Sequence, residues 1–431
     1  MTAAWGKKPM KRILRTTLPR GVATLAMAVA WVFGAAVSAS AQQPAPLVPP
    51  PPPGVVPVPE APASTAMTTP SMAGPLVANP NPFNLDGGPF GKVYVTGVVS
   101  GLGLAQSNPV LGDHSLRPDV SNAQAIVQTT EGLVQFYAQA GLYSFPALGT
   151  PYVSAWRMTG DSFGPVPAAY VKLAPTDTFS VQAGKLFTLI GAEYGFTFQN
   201  MNIERGLLWA QEPIISRGVQ VNYTLGPLAL SASLNDGFYS DSYNWLTGSA
   251  AWTINKENTL TVVGGGNFDH TDKNVVSSTL PPVVKTPFFQ NNGHIFNIIY
   301  TYNAAPWTIT PYFQYTHVPS NPFFGATRGA ETFGGAILAN YAVNDNVNVA
   351  GRAEYIGTTG SLAGGNANVL YGPGSTAWSL TFTPTYQEGI FFVREELSYV
   401  QANSITPGLA FGKGGNHHSQ GRVMIEGGII F

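Results

Sequence analysis

The sequence predicts an all-β fold: a transmembrane antiparallel β-barrel of about sixteen strands, preceded by a signal peptide and a Pro-rich linker. Three observations carry this. Charged residues are only 10% of the 431-residue chain, against roughly 25% in an ordinary soluble domain. Mean hydropathy is nonetheless close to neutral, because a lipid face and a water face cancel in the average. From Phe83 onward apolar and polar residues alternate in runs of about ten, the length at which a tilted strand crosses a bilayer. The last run, Gly421 to Phe431 (G-R-V-M-I-E-G-G-I-I-F), puts Val423, Ile425, Ile429 and Phe431 on one face and Arg422, Met424, Glu426 and Ile430 on the other. A period of two is a strand between two environments. Left as an edge such a strand invites aggregation, and pairing it with the first strand of a closed barrel removes the edge.

Taken in order, the chain begins with a basic head. Lys7, Lys8, Lys11, Arg12, Arg15 and Arg20 occur with no acid among them, followed by the apolar stretch Gly21–Val37 and then Ala39-Ser40-Ala41. Basic head, apolar middle and A-x-A describe a secretory signal over residues 1–41, cleaved after Ala41, with an uncleaved inner-membrane anchor as the alternative. Residues 42–82 are Pro-rich, with five consecutive prolines from Pro49 to Pro53. Too few large side chains and too few free amides leave such a segment extended, so it reads as a periplasmic linker. The barrel is assigned to residues 83–431.

Within it, strands are placed near 92–104, 123–130, 133–143, 166–173, 178–186, 215–225, 228–236, 245–255, 259–268, 294–303, 307–317, 332–341, 347–357, 377–387, 390–401 and 421–431. Short links at Glu131-Gly132, Gly226-Pro227, Lys256–Asn258, Ala304–Pro306 and Glu388-Gly389 alternate with long ones such as Gln106–Asn122, Phe187–Ile214, Asp269–Gly293 and Ala402–Gln420. Short turns at one end and long loops at the other is the outer-membrane pattern, and soluble sandwiches do not alternate so regularly. Phe179, Tyr223, Trp252, Tyr302, Trp307, Tyr341, Tyr386, Phe391 and Phe431 collect at the strand ends near the short turns, as an interfacial girdle requires.

With so few charges, their positions inform. Arg352 and Glu354 share a strand face opposite Val349, Ala353 and Tyr355; Arg394 and Glu396 do likewise, and Arg422 and Glu426 repeat the arrangement on the last strand. An Arg facing lipid at the midplane costs roughly 2–4 kcal/mol, which assigns all six to the lumen wall. There they either brace the wall as ion pairs or set the field along a pore. Glu395 breaks the alternation and calls for a bulge or a place near the rim. The link Phe187–Ile214 (through F-T-L-I-G-A-E-Y-G-F-T-F-Q-N-M-N-I-E-R-G-L-L-W) is too apolar to stand in water. It reads as a loop folded into the barrel, with Lys185, Glu193, Glu204, Arg205, Glu212 and Arg217 narrowing a channel; a lid on the outer rim is the alternative.

Several classes are excluded. Without cysteine there is no disulfide framework, thiolate metal site or cysteine nucleophile. A net charge of −1 gives no basic surface for nucleic acid. No G-x-S-x-G, P-loop or H-E-x-x-H is found, so no catalytic residue, metal site or cofactor is assigned. His417-His418 reads as solvated, and Gly264–Gly266 as a bulge or thin part of the wall.

The stretches G-K-L-F-T-L-I-G-A-E (Gly184–Glu193), N-I-E-R-G-L-L-W (Asn202–Trp209), S-R-G-V-Q-V-N-Y (Ser216–Tyr223), G-R-A-E-Y (Gly351–Tyr355) and V-R-E-E-L-S-Y (Val393–Tyr399) resemble the putative β-barrel porin-2, or OmpL-like, family. The terminal Phe after alternating apolar residues also resembles the assembly signal of outer-membrane barrels. The resemblance implies a bacterial outer-membrane porin with lipid, the barrel-assembly machinery and small solutes as partners, and a homo-oligomer as an open assembly state. A substrate-specific channel with Tyr170 and Tyr312 on a lumen track, and a non-conducting anchor, are the alternatives to passive diffusion of polar solutes. Where members carry a coiled-coil before the barrel, this chain has its Pro-rich segment.

Overall fold

Alternation along each strand sends apolar side chains outward and polar ones inward, and the strands close into a ring. The computed structural model describes residues 74–271, 289–322 and 325–431, all within one compact unit, Pro44–Phe431. Residues 1–41, read as a signal peptide, most of the Pro-rich segment and the middle of the long link Asp269–Gly293 lie outside the described residues. The strands are β1 (Phe83–Asp86), β2 (Lys92–Gln106), β3 (Leu116–Thr129), β4 (Val134–Tyr143), β5 (Ala168–Thr176), β6 (Phe179–Phe187), β7 (Ile215–Leu225), β8 (Leu228–Asn235) and β9 (Trp245–Thr253). Then follow β10 (Asn258–Asn267), β11 (His294–Ala304), β12 (Trp307–Val318), β13 (Ala330–Ala342), β14 (Val347–Thr358), β15 (Thr376–Glu388), β16 (Phe391–Asn403) and β17 (Ser419–Ile430). From β2 to β17 each strand pairs antiparallel with the next, and β17 pairs back onto β2 from Arg422↔Gln106 to Ile430↔Val98. The result is a closed sixteen-strand barrel with the short β1 added beside β2.

Closure is completed by the last residue. Phe431 exchanges both backbone hydrogen bonds with Gly97, at 2.7 and 2.9 Å. Its ring lies where a Cβ on residue 97 would be, so glycine there lets the terminal aromatic lie flat on the wall. Below it, β1 takes up the same edge of β2, Phe83 opposite Val95. Between them β17 and β1 cover this edge of β2 along nearly its whole length.

The faces are those the alternation requires. On β8, Leu230 and Leu234 are 36% and 46% exposed while Ser233 and Asn235 are 4% and 5%. The girdle aromatics Phe179, Tyr223, Trp252, Trp307, Tyr341, Phe391 and Phe431 are exposed on the outer wall at the short-turn end, with Trp307 and Tyr341 in ring contact at 4.6 Å. A second belt stands at the other end of the strands, where Trp378 meets Tyr399 and Tyr315 meets Phe333.

One strand differs from expectation, and at a second the structure chooses between two readings. β3 starts at Leu116, well before residue 123, because Arg117, Pro118 and Asp119 continue the ladder across a bulge at Ser100/Gly101. Their polarity reads as loop, but beyond the lipid band a strand has no need of an apolar face, and Asp119 accepts hydrogen bonds from the Tyr152 hydroxyl and the Ala155 amide at 2.9 Å. Gly264–Gly266 keep register with both neighbours, so β10 has no bulge. A short helix, α1 (Ala155–Asp161), lies in the link between β4 and β5. Among the described residues no helix is long and apolar enough to cross a membrane.

Candidate functional site inside the barrel

The link between β6 and β7 folds into the lumen. Its neck is held by the Thr188 amide donating to the Ile214 carbonyl at 3.1 Å. From there it spans wall to wall. On one side Phe196, Phe198 and Trp209 are buried with the lumen-facing Val98, Ile126, Tyr137 and Tyr170. On the other, Ile190, Met201, Leu207 and Leu208 are buried with Trp245, Val263, Ile299, Tyr312 and Leu338. Each such side chain contributes about 1.5–3 kcal/mol by leaving water, which is why so apolar a loop cannot stand outside.

Polar clamps fix its path. Glu396 accepts the consecutive amides of Ile203 and Glu204 at 2.5 and 3.0 Å, and Glu354 those of Leu207 and Leu208 at 3.0 and 3.4 Å. A carboxylate on two successive N–H groups satisfies donors that an irregular loop would otherwise bury unpaired. Glu426 accepts the Thr197 hydroxyl at 2.6 Å and Arg394 donates to the Thr197 carbonyl at 3.0 Å; the two lie 3.7 Å apart. Arg352 reaches Glu193 at 2.6 Å, the Glu204 carbonyl at 2.7 Å and Glu354 at 3.3 Å. Arg422 holds Glu204 at 2.5 Å and the Ala147 carbonyl at 2.8 Å. Arg205 braces the loop on itself through the Gly195 carbonyl at 3.0 Å and the Ile203 carbonyl, and Glu193 accepts the Gly206 amide at 2.8 Å.

With that geometry in hand, the family model described as "Putative beta-barrel porin-2, OmpL-like" matches residues 92–431. The chain belongs to this family. Its barrel is a porin-type channel of the bacterial outer membrane. No curated protein matches it in sequence. Among solved structures it is similar to the outer-membrane-expressed OmpT of Vibrio cholerae, at 13% identity and TM-score 0.54 over 81% of this chain and 100% of that one. It is also similar to the anion-selective porin from Comamonas acidovorans, at 13% identity and TM-score 0.52 over 79% and 99%. A third is the outer membrane channel DcaP of Acinetobacter baumannii, at 11% identity and TM-score 0.51 over 79% and 97%. At these identities the likeness is one of fold.

In this porin barrel the wall charges Arg352, Glu354, Arg394, Glu396, Arg422 and Glu426 all face the lumen, each 5% exposed or less. Most of their bonds run to the inner loop and not to one another. Glu193, Glu204, Arg205 and Glu212 of the loop come together with them. Lys185 and Arg217 do not. They stand opposite each other on β6 and β7, on the outer face that carries Val181, Ala183, Val219 and Val221. Lys185 donates to the carbonyls of Phe163 and Val166 at 2.9 Å, and Arg217 pairs with Asp236 at 2.8 Å and Asp241 at 3.2 Å, 4.1 Å above the Tyr239 ring. They form an outer-rim cluster apart from the lumen. Glu395 needs no bulge: β16 keeps register past it, and it faces outward opposite Ile425, 8% exposed. His417 and His418 are exposed.

Glu193, Glu204, Glu212, Glu354, Glu396 and Glu426 against Arg205, Arg352, Arg394 and Arg422 leave an excess of two carboxyl groups around the loop. Glu212 has no hydrogen-bond partner on either oxygen. Burial, and then repulsion from Glu193 and Glu354, raise its pKa well above the ordinary carboxyl value. Burial pulls Arg205 down to about 10, which leaves it charged at neutral pH. One contributor escaped the sequence reading. The link between β4 and β5 also enters the lumen, where Ala147 bridges Arg205 and Leu148 is buried against the loop's own cluster. The apolar run F-P-A-L (Phe145–Leu148) was the available signal.

Proposed function

We propose that this porin gives passive diffusion of small polar solutes and ions across the outer membrane, past the loop Thr188–Ile214, with Glu193, Glu204, Arg205 and Glu212 setting the narrowest section. The observation that carries the reading is a closed barrel whose inner loop brings charges of both signs into the lumen. Below the loop, Lys172, Gln182, Asn222, Ser231, Ser249 and Thr261 line the β5–β10 side and are only half-buried, which supports a polar vestibule there. Fixed charges in a narrow, partly low-dielectric passage act far more strongly than on an exposed rim.

A channel with a solute track on Tyr170 and Tyr312 is the second reading: both rings face the lumen, against the inner loop. The reading is of a channel rather than an enzyme, with outer-membrane lipid and the barrel-assembly machinery as partners. A homo-oligomer fits a fold in which OmpT of Vibrio cholerae has a trimer form. Planar-bilayer conductance of the refolded protein in KCl tests the reading: discrete conductance steps are expected, and folded barrels that insert without conducting would leave the anchor as the better description.

A further inference from the structure

The Pro-rich segment does not end outside the barrel. A stretch near its end, Gly74-Pro75-Leu76-Val77-Ala78, lies within the mouth at the short-turn end. Leu76 is 3% exposed and belongs to the buried cluster that includes Val98, Phe392 and Ile430, lumen-facing residues of β2, β16 and β17, together with the inner loop's Phe196 and Phe198. Gly74 backs directly onto the Asn200 carbonyl, where any side chain would collide. Asn200 is the residue that shapes this part of the loop: its side chain accepts the Tyr194 amide at 2.8 Å and donates to the Tyr194 and Phe196 carbonyls at 2.9 and 2.7 Å. At the mouth, Gln387 at the end of β15 accepts the Val77 amide at 2.8 Å and donates to the Val77 carbonyl at 2.9 Å.

These contacts make a seat for one extended peptide. Pro75 restricts its own φ and carries no N–H, Val77 has no ladder partner, and the Gln387 amide supplies it one donor and one acceptor. The seat is light: one leucine and a two-point contact at an exposed turn. Because the strap is joined to β1, it stays at high local concentration when it leaves and returns readily.

We propose that Gly74–Ala78 is a built-in latch of the channel. Seated, it narrows the β15–β2 side of the mouth and pins the inner loop at Asn200; withdrawn, it frees the passage and lets the loop relax. The proposal rests on the conducting reading above. The full chain, its Leu76→Asp variant and its Gln387→Ala variant are compared in planar bilayers in KCl, after gel mobility with and without heating has shown each to be a folded barrel. Single-channel conductance should rise about twofold or more in Leu76→Asp, as when the narrowest part of a series path widens. Gln387→Ala should spend more of its time in that higher state. Parent and variants conducting alike would overturn the latch and leave the porin reading intact. Folded but silent barrels in all three cases would remove both. A silent parent beside a conducting Leu76→Asp would establish the latch as the dominant block. Should Leu76→Asp fail to assemble, Gln387→Ala decides the question, since its side chain lies at an exposed turn.

Discussion

Replacing Arg352 with methionine should loosen the inner loop more than any other single wall substitution. The guanidinium serves Glu193 at 2.6 Å, the Glu204 carbonyl at 2.7 Å, the Thr381 hydroxyl at 3.2 Å and Glu354 at 3.3 Å, and it is 2% exposed. Methionine fills similar volume but leaves Glu193 and Glu354 buried without their cation. Breaking a buried pair by removing one partner costs about 3–5 kcal/mol. A double-mutant cycle separates the Arg352–Glu193 pair from its surroundings: with Glu193→Gln in the background, only Glu354 is left stranded and the cost of Arg352→Met should fall by about 1.5–3 kcal/mol, the range for hydrogen bonds to charged groups. The assay is the denaturant midpoint of the gel-mobility transition for parent, two singles and the double in one detergent. A single-variant loss under about 1 kcal/mol, or singles that add within about 0.5 kcal/mol, would refute the view that this guanidinium holds the loop to the wall.

Removing Phe431 should lower outer-membrane yield far more than removing Leu362 from an exposed loop, because Phe431 makes the last two closing hydrogen bonds to Gly97; equal yields of heat-modifiable barrel would contradict this. Changing Glu204 and Glu212 together to Gln should move the reversal potential in a KCl gradient toward anions, with the contribution of Glu212 growing as pH rises through its raised pKa. The same group has a stability signature. A carboxyl raised in the folded state binds its proton more tightly there, so its contribution is full below the unfolded value and is lost as pH rises toward the folded one. Glu212→Gln should therefore match the parent at acid pH and exceed its transition temperature at neutral and alkaline pH, and parallel pH profiles would count against a neutral, buried Glu212. Amino-terminal sequencing of the membrane-extracted protein should begin at Gln42, and a retained Lys-rich head would favour the anchor.

The sequence by itself determined the wall. Period-two alternation is a local property, so it located all sixteen strands of the ring, their inner and outer faces, the short-turn end and the lumen side of Arg352, Glu354, Arg394, Glu396, Arg422 and Glu426. It also required the Phe187–Ile214 link to bury itself, since its apolar residues had nowhere else to go. The outward placement of Lys185 and Arg217 was legible too, in their shared parity with Val181 and Val219, but their nearness in sequence to the loop masked it. Only the tertiary structure decided what the wall charges hold. Glu396 and Glu354 grip backbone amides of a loop far away in sequence, and Arg422 on the last strand grips Glu204. The entry of Phe145–Leu148 and Gly74–Ala78 into the lumen was decided in the same way. Residues facing a lumen choose partners across it, and those partners exist only once the ring has closed and the loops have taken their paths through it.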